Sequence, residues 1–598
     1  MRSRLVILVC LLSLWLLGLG TRLHQLQIRE HEEYRDRAAS QQRRVLDLEP
    51  PRGTIYDSRG RVLAVSAEVE SAFADPSEVR DPGAAAEAIG TALGLDVEKL
   101  TRRLSSDRDF VFLARKLDPP RAAEIRKLEI PGVHFLRENK RYYPLRSLAA
   151  PVLGFVGTDH EGLAGLEAHY DELIGGRAGR RTVLRDARRR TLLSPRLTVV
   201  EAEPGADLHL TLDASIQHIV ERELSQAVER SGARRGIAVF LEPETGAILA
   251  MAQSPGFDPN RFSDFSPPRW RNRAVTDAYE PGSTFKMVTI AAVLETGLLG
   301  PEDELDCEMG SIVLAGQRIR DHHPFGELTV RQVLAKSSNV GAIKMGLLLG
   351  EGRLHGALTD FGFGRVTGID LPGESPGIVR AIDDWSALSK AYVSFGQELS
   401  VTSLQMARAV AAVANGGLLP EPYVVARADG EDGFQRRGRA SEMSRAVSSS
   451  VAAELTRMLR GVVDRGPGSR ARLPGYTVAG KTGTAQKAID GAYSHTRFVA
   501  SFAGFAPAVD PRLAGIVVLD EPTPAYHGGQ VAAPVFASMA REMLLYWGIP
   551  PDGEEDLHRP EGGPPSLVPT APESRPGPAI TASLVPRAPS SSTVGGAR

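Results

Sequence analysis

Residues Leu5 to Gly20 form an apolar run broken only by Ser13, directly behind Arg2 and Arg4. The run approaches the ~20 residues that carry a helix across a bilayer, and Leu23 and Leu26 extend it. Positive residues stay on the cytoplasmic side, so the arginines direct everything after the run outward. Gly18-Leu19-Gly20 makes a poor cleavage site, and Arg22 to Arg44 continues as a charged, helix-compatible stretch. A retained single anchor is therefore the favoured reading over a cleaved signal peptide. Both readings export the body of the chain.

That body is large. A chain of 598 residues exceeds the size at which one hydrophobic core stops growing, so two or more domains are expected. A net charge of −2 provides no basic field for nucleic acid. Cys10 and Cys307 are the two cysteines, too few for a disulfide framework, and Cys307 between Asp306 and Glu308 has nothing to activate it. Asp321-His322-His323 is the one metal-like cluster. Adjacent side chains on a strand point to opposite faces, so the trio is read as structural and neither metal nor cofactor is expected.

Along the chain, Glu49-Pro50-Pro51-Arg52-Gly53 ends the N-terminal helical stretch, and Thr54 to Ala64 reads as strand, turn and strand. Helical patterns follow, clearest at Ala84–Leu93 and Pro120–Leu128; Tyr143 to Gly176 reads as short apolar strands between Gly turns. The seven arginines from Arg177 to Arg190 read as a solvated hairpin. A second region opens at Leu208–Leu212, with a helix from Ala214 to Val228 and a hairpin of Gly236–Leu241 and Ala247–Met251. Phe498–Phe505, Leu513–Leu519 and a final helix, Ala533–Tyr546, lie far downstream. Helical segments fill the interval from Thr284 to Val462, which predicts one sheet completed by distant segments and covered by helices. The expected division is 1–22 anchor, 23–205 non-catalytic domain, 206–548 second domain, and 549–598 a disordered Pro/Ser/Ala-rich tail.

Three short motifs carry chemistry. Ser283-Thr284-Phe285-Lys286 follows Glu280-Pro281-Gly282 and opens an apolar helix, so Ser283 and Lys286 share a face. A serine hydroxyl needs a nearby base, and a lysine serves only where burial or neighbouring cations lower its pKa. Ser337-Ser338-Asn339 starts a second apolar helix and reads equally well as an N-cap. Lys481-Thr482-Gly483-Thr484 reads as a strand whose lysine and two hydroxyls suit a carboxylate, with Thr482 and Thr484 on one face and Gly483 admitting a substrate backbone.

In this order and spacing the motifs resemble the Ser-x-x-Lys, Ser-x-Asn and Lys-Thr-Gly signature of penicillin-binding proteins and serine β-lactamases. Arg52-Gly53-Thr54-Ile55-Tyr56-Asp57 and Gly162-Leu163-Ala164-Gly165-Leu166-Glu167 resemble the pedestal domain of class B penicillin-binding proteins. Asn272-Arg273-Ala274-Val275, Phe361-Gly362-Phe363-Gly364 and Ser394-Phe395-Gly396-Gln397 resemble their transpeptidase domain. The resemblance spans roughly residues 1 to 545. It implies an α/β (α+β) chain with a mixed pedestal and a penicillin-binding domain whose antiparallel sheet is flanked by helices, as in serine β-lactamases. It implies Ser283 as acylated nucleophile, Lys286 as base, and Ser337 and Asn339 as proton-transfer and amide-holding residues. It further implies Lys481, Thr482, Gly483 and Thr484 as carboxylate site, with the backbone N–H groups of Ser283 and Thr484 as oxyanion hole.

The implied substrate is a peptidoglycan stem peptide ending in D-Ala-D-Ala, with β-lactams as inhibitors. The implied role is septal cross-linking, with elongation-type and sporulation-type enzymes as alternatives. No glycosyltransferase domain fits before residue 200, so the resemblance implies a separate SEDS-type polymerase and other division proteins as partners. A class D-like β-lactamase is disfavoured by the anchor and pedestal, and a non-catalytic scaffold by intact Ser283, Lys286 and Lys481.

Overall fold

The computed structural model describes residues 2–185, 191–192, 199–430, 433–435, 443–489 and 492–553. The tail beyond 553 and the arginines at 188–190 lie outside the described residues. The described chain forms two compact units, each assembled from separated segments. One takes the N-terminal stretch through Gly53, Ser66–Lys140 and Glu172–Ala206; the other takes Thr54–Val65, Arg141–Asp171 and the chain from Asp207 onward.

In the first unit, the apolar run lies within an α-helix, Arg2–His24, whose large side chains are all exposed. A π-turn, Gln25–Arg29, and a helix, His31–Gln42, follow, so the helix-compatible stretch is helical to Gln42 before a strand, Arg43–Leu48. Further on, the helix Pro82–Leu93 has signals at both ends. Asp81 accepts hydrogen bonds from the N–H groups of Gly83 and Ala84, Pro82 sits where no N–H is needed, and Gly94 closes the helix at φ +64°. Its apolar face, with Ile89 and Leu93, shares a core with Leu100 and Leu104 of the helix Val97–Leu104 and with Val111 and Leu113.

The second unit is built on a five-stranded antiparallel sheet in the order Ile248–Ser254, Arg235–Leu241, Leu513–Asp520, Ala492–Ala506, Ala479–Ile489. The sheet thus joins segments more than 200 residues apart, as the strand pattern predicts. On one face the helices Ala214–Ser231 and Ala533–Trp547 pack Ile216, Leu224, Phe536 and Met543 against Phe240, Phe502 and Val517. The helix Ser403–Ala414, buried from Ser403 to Val413, also packs against the sheet. Val239, Ile516 and Phe505, of opposite parity to Phe240, Val517 and Phe502, are buried too. Burial on both faces explains why these strands read as continuous apolar runs rather than alternating ones.

Tyr143 to Gly176 differs from its expected strand-and-turn reading: beside the strands Phe155–Val156 and Gly162–Ala164 it forms three short helices, Ala150–Leu153, Gly165–His169 and Asp171–Ile174. Apolar runs this short cannot be assigned by period alone. Two motifs quoted above for the pedestal contribute to the second unit. Asp57 accepts hydrogen bonds from the N–H groups of Arg59, Arg61 and Ala214 at 2.9, 2.7 and 3.0 Å, fixing the start of the helix Ala214–Ser231. Glu167 accepts from Arg141 Nε at 2.7 Å and from the Tyr143 hydroxyl at 3.3 Å, with both charged side chains buried. Removing one partner strands a buried charge, so Glu167→Ala should destabilise the protein by about 3–5 kcal/mol. A lowered denaturation midpoint with an unchanged denaturant slope is the expected reading.

Candidate active site

The Glu280-Pro281-Gly282 turn feeds a single 3₁₀ turn, Gly282–Phe285, which runs into the α-helix Lys286–Glu295. Gly282 has φ +56°, a conformation that favours glycine. From Pro281 to Val293 every residue is buried except Ser283. Ser283 thus precedes the α-helix that the sequence places it on, and Lys286 is that helix's first residue. Residues three apart eclipse in a 3₁₀ turn, so the two side chains still share a face.

Lys286 is fully buried. Its Nζ donates to the Ser337 carbonyl at 2.6 Å and to Asn339 Oδ1 at 2.8 Å, and lies 3.3 Å from Ser337 Oγ. Lys481, also fully buried, donates from Nζ to Ser337 Oγ at 2.9 Å and to the Thr482 carbonyl at 3.2 Å. The Ser337 hydroxyl therefore stands between two lysine amines. Burial, reinforced by the charge of Lys481 and opposed by Asp321, pushes the Lys286 amine well below the usual lysine range. Burial brings Lys481 down to about 7. Such a pair can supply a neutral amine that takes a proton and a cation that holds an anion, linked through one hydroxyl.

Ser337 ends the helix Val330–Lys336 at φ +60°. A non-glycine residue held there costs on the order of 1–3 kcal/mol, and such strain clusters at functional sites. Ser338 caps the next helix, Asn339–Asp360, accepting from Gly341 N–H at 3.0 Å. The N-cap reading thus belongs to Ser338, while Ser337 and Asn339 on either side point to the lysines. Asp321 holds the motif in place: it accepts from the Ser338 hydroxyl at 2.6 Å, from Val340 N–H at 3.1 Å and from Asn339 N–H. Sequence reading treated Asp321 as structural without finding this role. An isolated Asp sixteen residues ahead of Ser337 carries no local signal.

Lys481-Thr482-Gly483-Thr484 lies on the edge strand Ala479–Ile489. Gly483 receives a different account from the expected one. A Cβ there would lie 2.3 Å from Ser501 Oγ and 3.0 Å from the Pro281 carbonyl, so the missing side chain makes room for the neighbouring strand and for the protein's own turn at Pro281–Thr284. Thr482 and Thr484 share the other parity of the strand, and Thr484 Oγ1 accepts from Gly528 N–H at 3.0 Å. The segment His527-Gly528-Gly529 borders the site without having been singled out from sequence; two adjacent glycines were the available signal. All eight residues expected from the sequence fall in the second unit, and Lys286, Ser337, Asn339 and Lys481 are brought into direct contact.

Residues 236–541 match the model of the penicillin-binding protein transpeptidase domain, and residues 47–210 that of the penicillin-binding protein dimerisation domain. The chain belongs to the class B penicillin-binding proteins. It is 35% identical to peptidoglycan D,D-transpeptidase FtsI of Escherichia coli, covering 85% of this chain and 86% of that one. It is 34% identical to stage V sporulation protein D of Bacillus subtilis, covering 92% and 86%. Penicillin-binding protein 3 of Mycobacterium tuberculosis, solved with aztreonam, superposes with a TM-score of 0.67 at 31% identity, covering 85% of this chain and 98% of that one.

For this class B penicillin-binding protein the two lysines predict a bell-shaped pH dependence of the second-order acylation rate with a penicillin. Rate rises as Lys286 loses its proton through its depressed pKa and falls as Lys481 loses its proton near about 7. Lys481→Met should abolish the alkaline limb and move the acid limb to higher pH, since the cation that depresses Lys286 is gone. Stopped-flow acylation measures both limbs.

Proposed function

We propose that this protein is a membrane-anchored peptidoglycan D,D-transpeptidase that cross-links stem peptides outside the cytoplasmic membrane during septal wall synthesis. The observation that carries the reading is the meeting of two buried lysine amines at Ser337, one of them three residues after Ser283, which alone of Pro281–Val293 is not buried. In the first half-reaction Lys286 takes the Ser283 proton and Oγ attacks the carbonyl carbon between the two terminal D-alanines. The backbone N–H groups of Ser283 and Thr484 receive the oxyanion, and Lys481 with Thr482 and Thr484 receives the terminal carboxylate. The C–N bond then breaks, the departing D-alanine amine takes a proton relayed through Ser337, and an acyl ester remains on Ser283. In the second half an amine of a neighbouring stem attacks that ester, its proton returns to Ser283 Oγ through the same groups, and the cross-link is released.

The septal assignment is supported by the similarity to FtsI and to penicillin-binding protein 3. A sporulation role is the second reading, supported by the similarity to stage V sporulation protein D. The apolar helix Arg2–His24 supports a single-span anchor with the catalytic unit outside. A separate SEDS-type glycan polymerase and other division proteins complete the proposed assembly.

Ser283→Ala should keep the fold and lose covalent labelling by a fluorescent penicillin. Lys286→Arg should lower acylation ~10²–10⁴-fold, because guanidinium retains the charge but supplies no base. A stable adduct on the alanine variant, seen by intact mass, refutes Ser283 as nucleophile. A fluorescent fusion should gather at division sites of growing cells; a signal restricted to sporulating cells would favour the second reading.

A further inference from the structure

Behind Ser283, the nucleophile turn and the helix it feeds are tied to residues 394–398 at three points. Thr289 Oγ1 donates to the Ser394 carbonyl at 2.8 Å, Gly282 N–H donates to the Gly396 carbonyl at 2.9 Å, and Glu398 N–H donates to Glu280 Oε1 at 3.0 Å. The backbones are in contact here, since a Cβ on Gly396 would lie 2.2 Å from the Gly282 carbonyl oxygen. Glu280 Oε1 also accepts from the hydroxyl of Tyr493, at 3.1 Å, on the sheet strand beside Ala479–Ile489. One carboxyl, three residues before Ser283, thus joins the nucleophile turn to a second turn and to the sheet.

The second turn is itself fixed. Glu398 sits at φ +58°, and its carboxylate accepts from the Ser389 hydroxyl at 2.7 Å and pairs with Arg380. Glu280 forms no ion pair among the described residues, and its Oε2 is buried without a hydrogen bond. The groups facing it are the Glu398 carboxylate and the phenol of Tyr493, with Tyr392 beyond. Burial pushes the Glu280 carboxyl up to about 7, opposed by the hydrogen bonds from Glu398 N–H and the Tyr493 hydroxyl and assisted by the Glu398 charge. Burial and Glu280 itself raise the Tyr493 phenol, which therefore stays a donor.

We propose that Glu280 is a positioning residue for Ser283: its carboxyl clamps the nucleophile turn to residues 396–398 and to Tyr493, and so sets the approach of the serine hydroxyl to the scissile carbonyl. The inference rests on the reading of Ser283 as the nucleophile. A carboxyl raised to about 7 is neutral below that pH and charged above it. The clamp is accordingly intact at low pH and weakened as pH rises, when a buried negative charge faces Glu398 with no cation beside it.

The test is single-turnover acylation by a fluorescent penicillin, resolving the noncovalent dissociation constant from the acylation rate constant, with thermal melts on every variant. Glu280→Ala should lower the acylation constant about 10–100-fold with noncovalent binding within about twofold, the signature of a misplaced reacting group. Tyr493→Phe, which removes one donor, should lower it several-fold. Glu280→Gln keeps an oxygen acceptor without a charge and should stay within about threefold of the parent at pH 7. The ratio of the Gln variant to the parent should then rise between pH 6 and 8.5, because the titrations of Lys286 and Lys481 are common to both and cancel. A folded Ala variant with the parent's rate, a folded Gln variant as slow as the Ala variant, or a ratio flat with pH overturns the proposal. If the Ala variant does not fold, the Gln ratio and Tyr493→Phe decide. A parent chain that fails to acylate, or labelling of Ser283→Ala, overturns the functional reading instead.

Discussion

Two lysine amines buried around one serine hydroxyl are the constraint on which the rest of this active site depends. An ammonium in a protein interior is strongly disfavoured, and two close together more so, unless hydrogen bonds and anions compensate. Here Nζ of Lys286 and Nζ of Lys481 both reach Ser337, and the compensation is sparse: two carbonyl oxygens, one amide oxygen, one hydroxyl and Asp321 nearby. The outcome is one amine whose pKa is driven well below the usual lysine range and another brought down to about 7. Those are the directions that the proposed proton abstraction and anion binding require.

Holding the pair takes the whole second unit. Lys286 is kept dry because the helix it opens is buried from Lys286 to Val293 and packs against other helices. Lys481 is kept dry by an edge strand whose glycine lets the nucleophile turn close against it. Ser337 is held at positive φ between two helices, the second of which is anchored by Asp321. Each element comes from a different stretch of chain, and only completion of the five-stranded sheet by segments from both sides of the helical interval brings them together. The site is therefore a product of tertiary packing, and no isolated segment could reproduce its electrostatics.

The sequence was legible where chemistry is local. Ser-Thr-Phe-Lys and Lys-Thr-Gly-Thr carry residue types whose spacing implies a shared face, Ser-Ser-Asn opens a helix, and apolar runs marked four of the five strands of the central sheet, the fifth being read from the Lys-Thr-Gly-Thr motif. It was less legible where function is built from single residues far apart. Asp321 and Glu280 bear on the site through contacts with residues 338–340, 398 and 493, which no periodicity connects. Gly483 was legible as a position needing space, but the occupant of that space was not. The short segments between Tyr143 and Gly176 were misread in part because four or five apolar residues fit a helical turn and a strand equally well.

The ionisation state of Lys286 in the substrate-free protein tests the account at its centre. It can be read by NMR titration of side-chain-labelled lysine, with Lys286→Arg to assign the signal. A transition well below the ordinary lysine range, moving upward in Lys481→Met, is the predicted result. A Lys286 amine that stays protonated up to the ordinary lysine range would contradict it, since a charged ammonium cannot take the proton of Ser283.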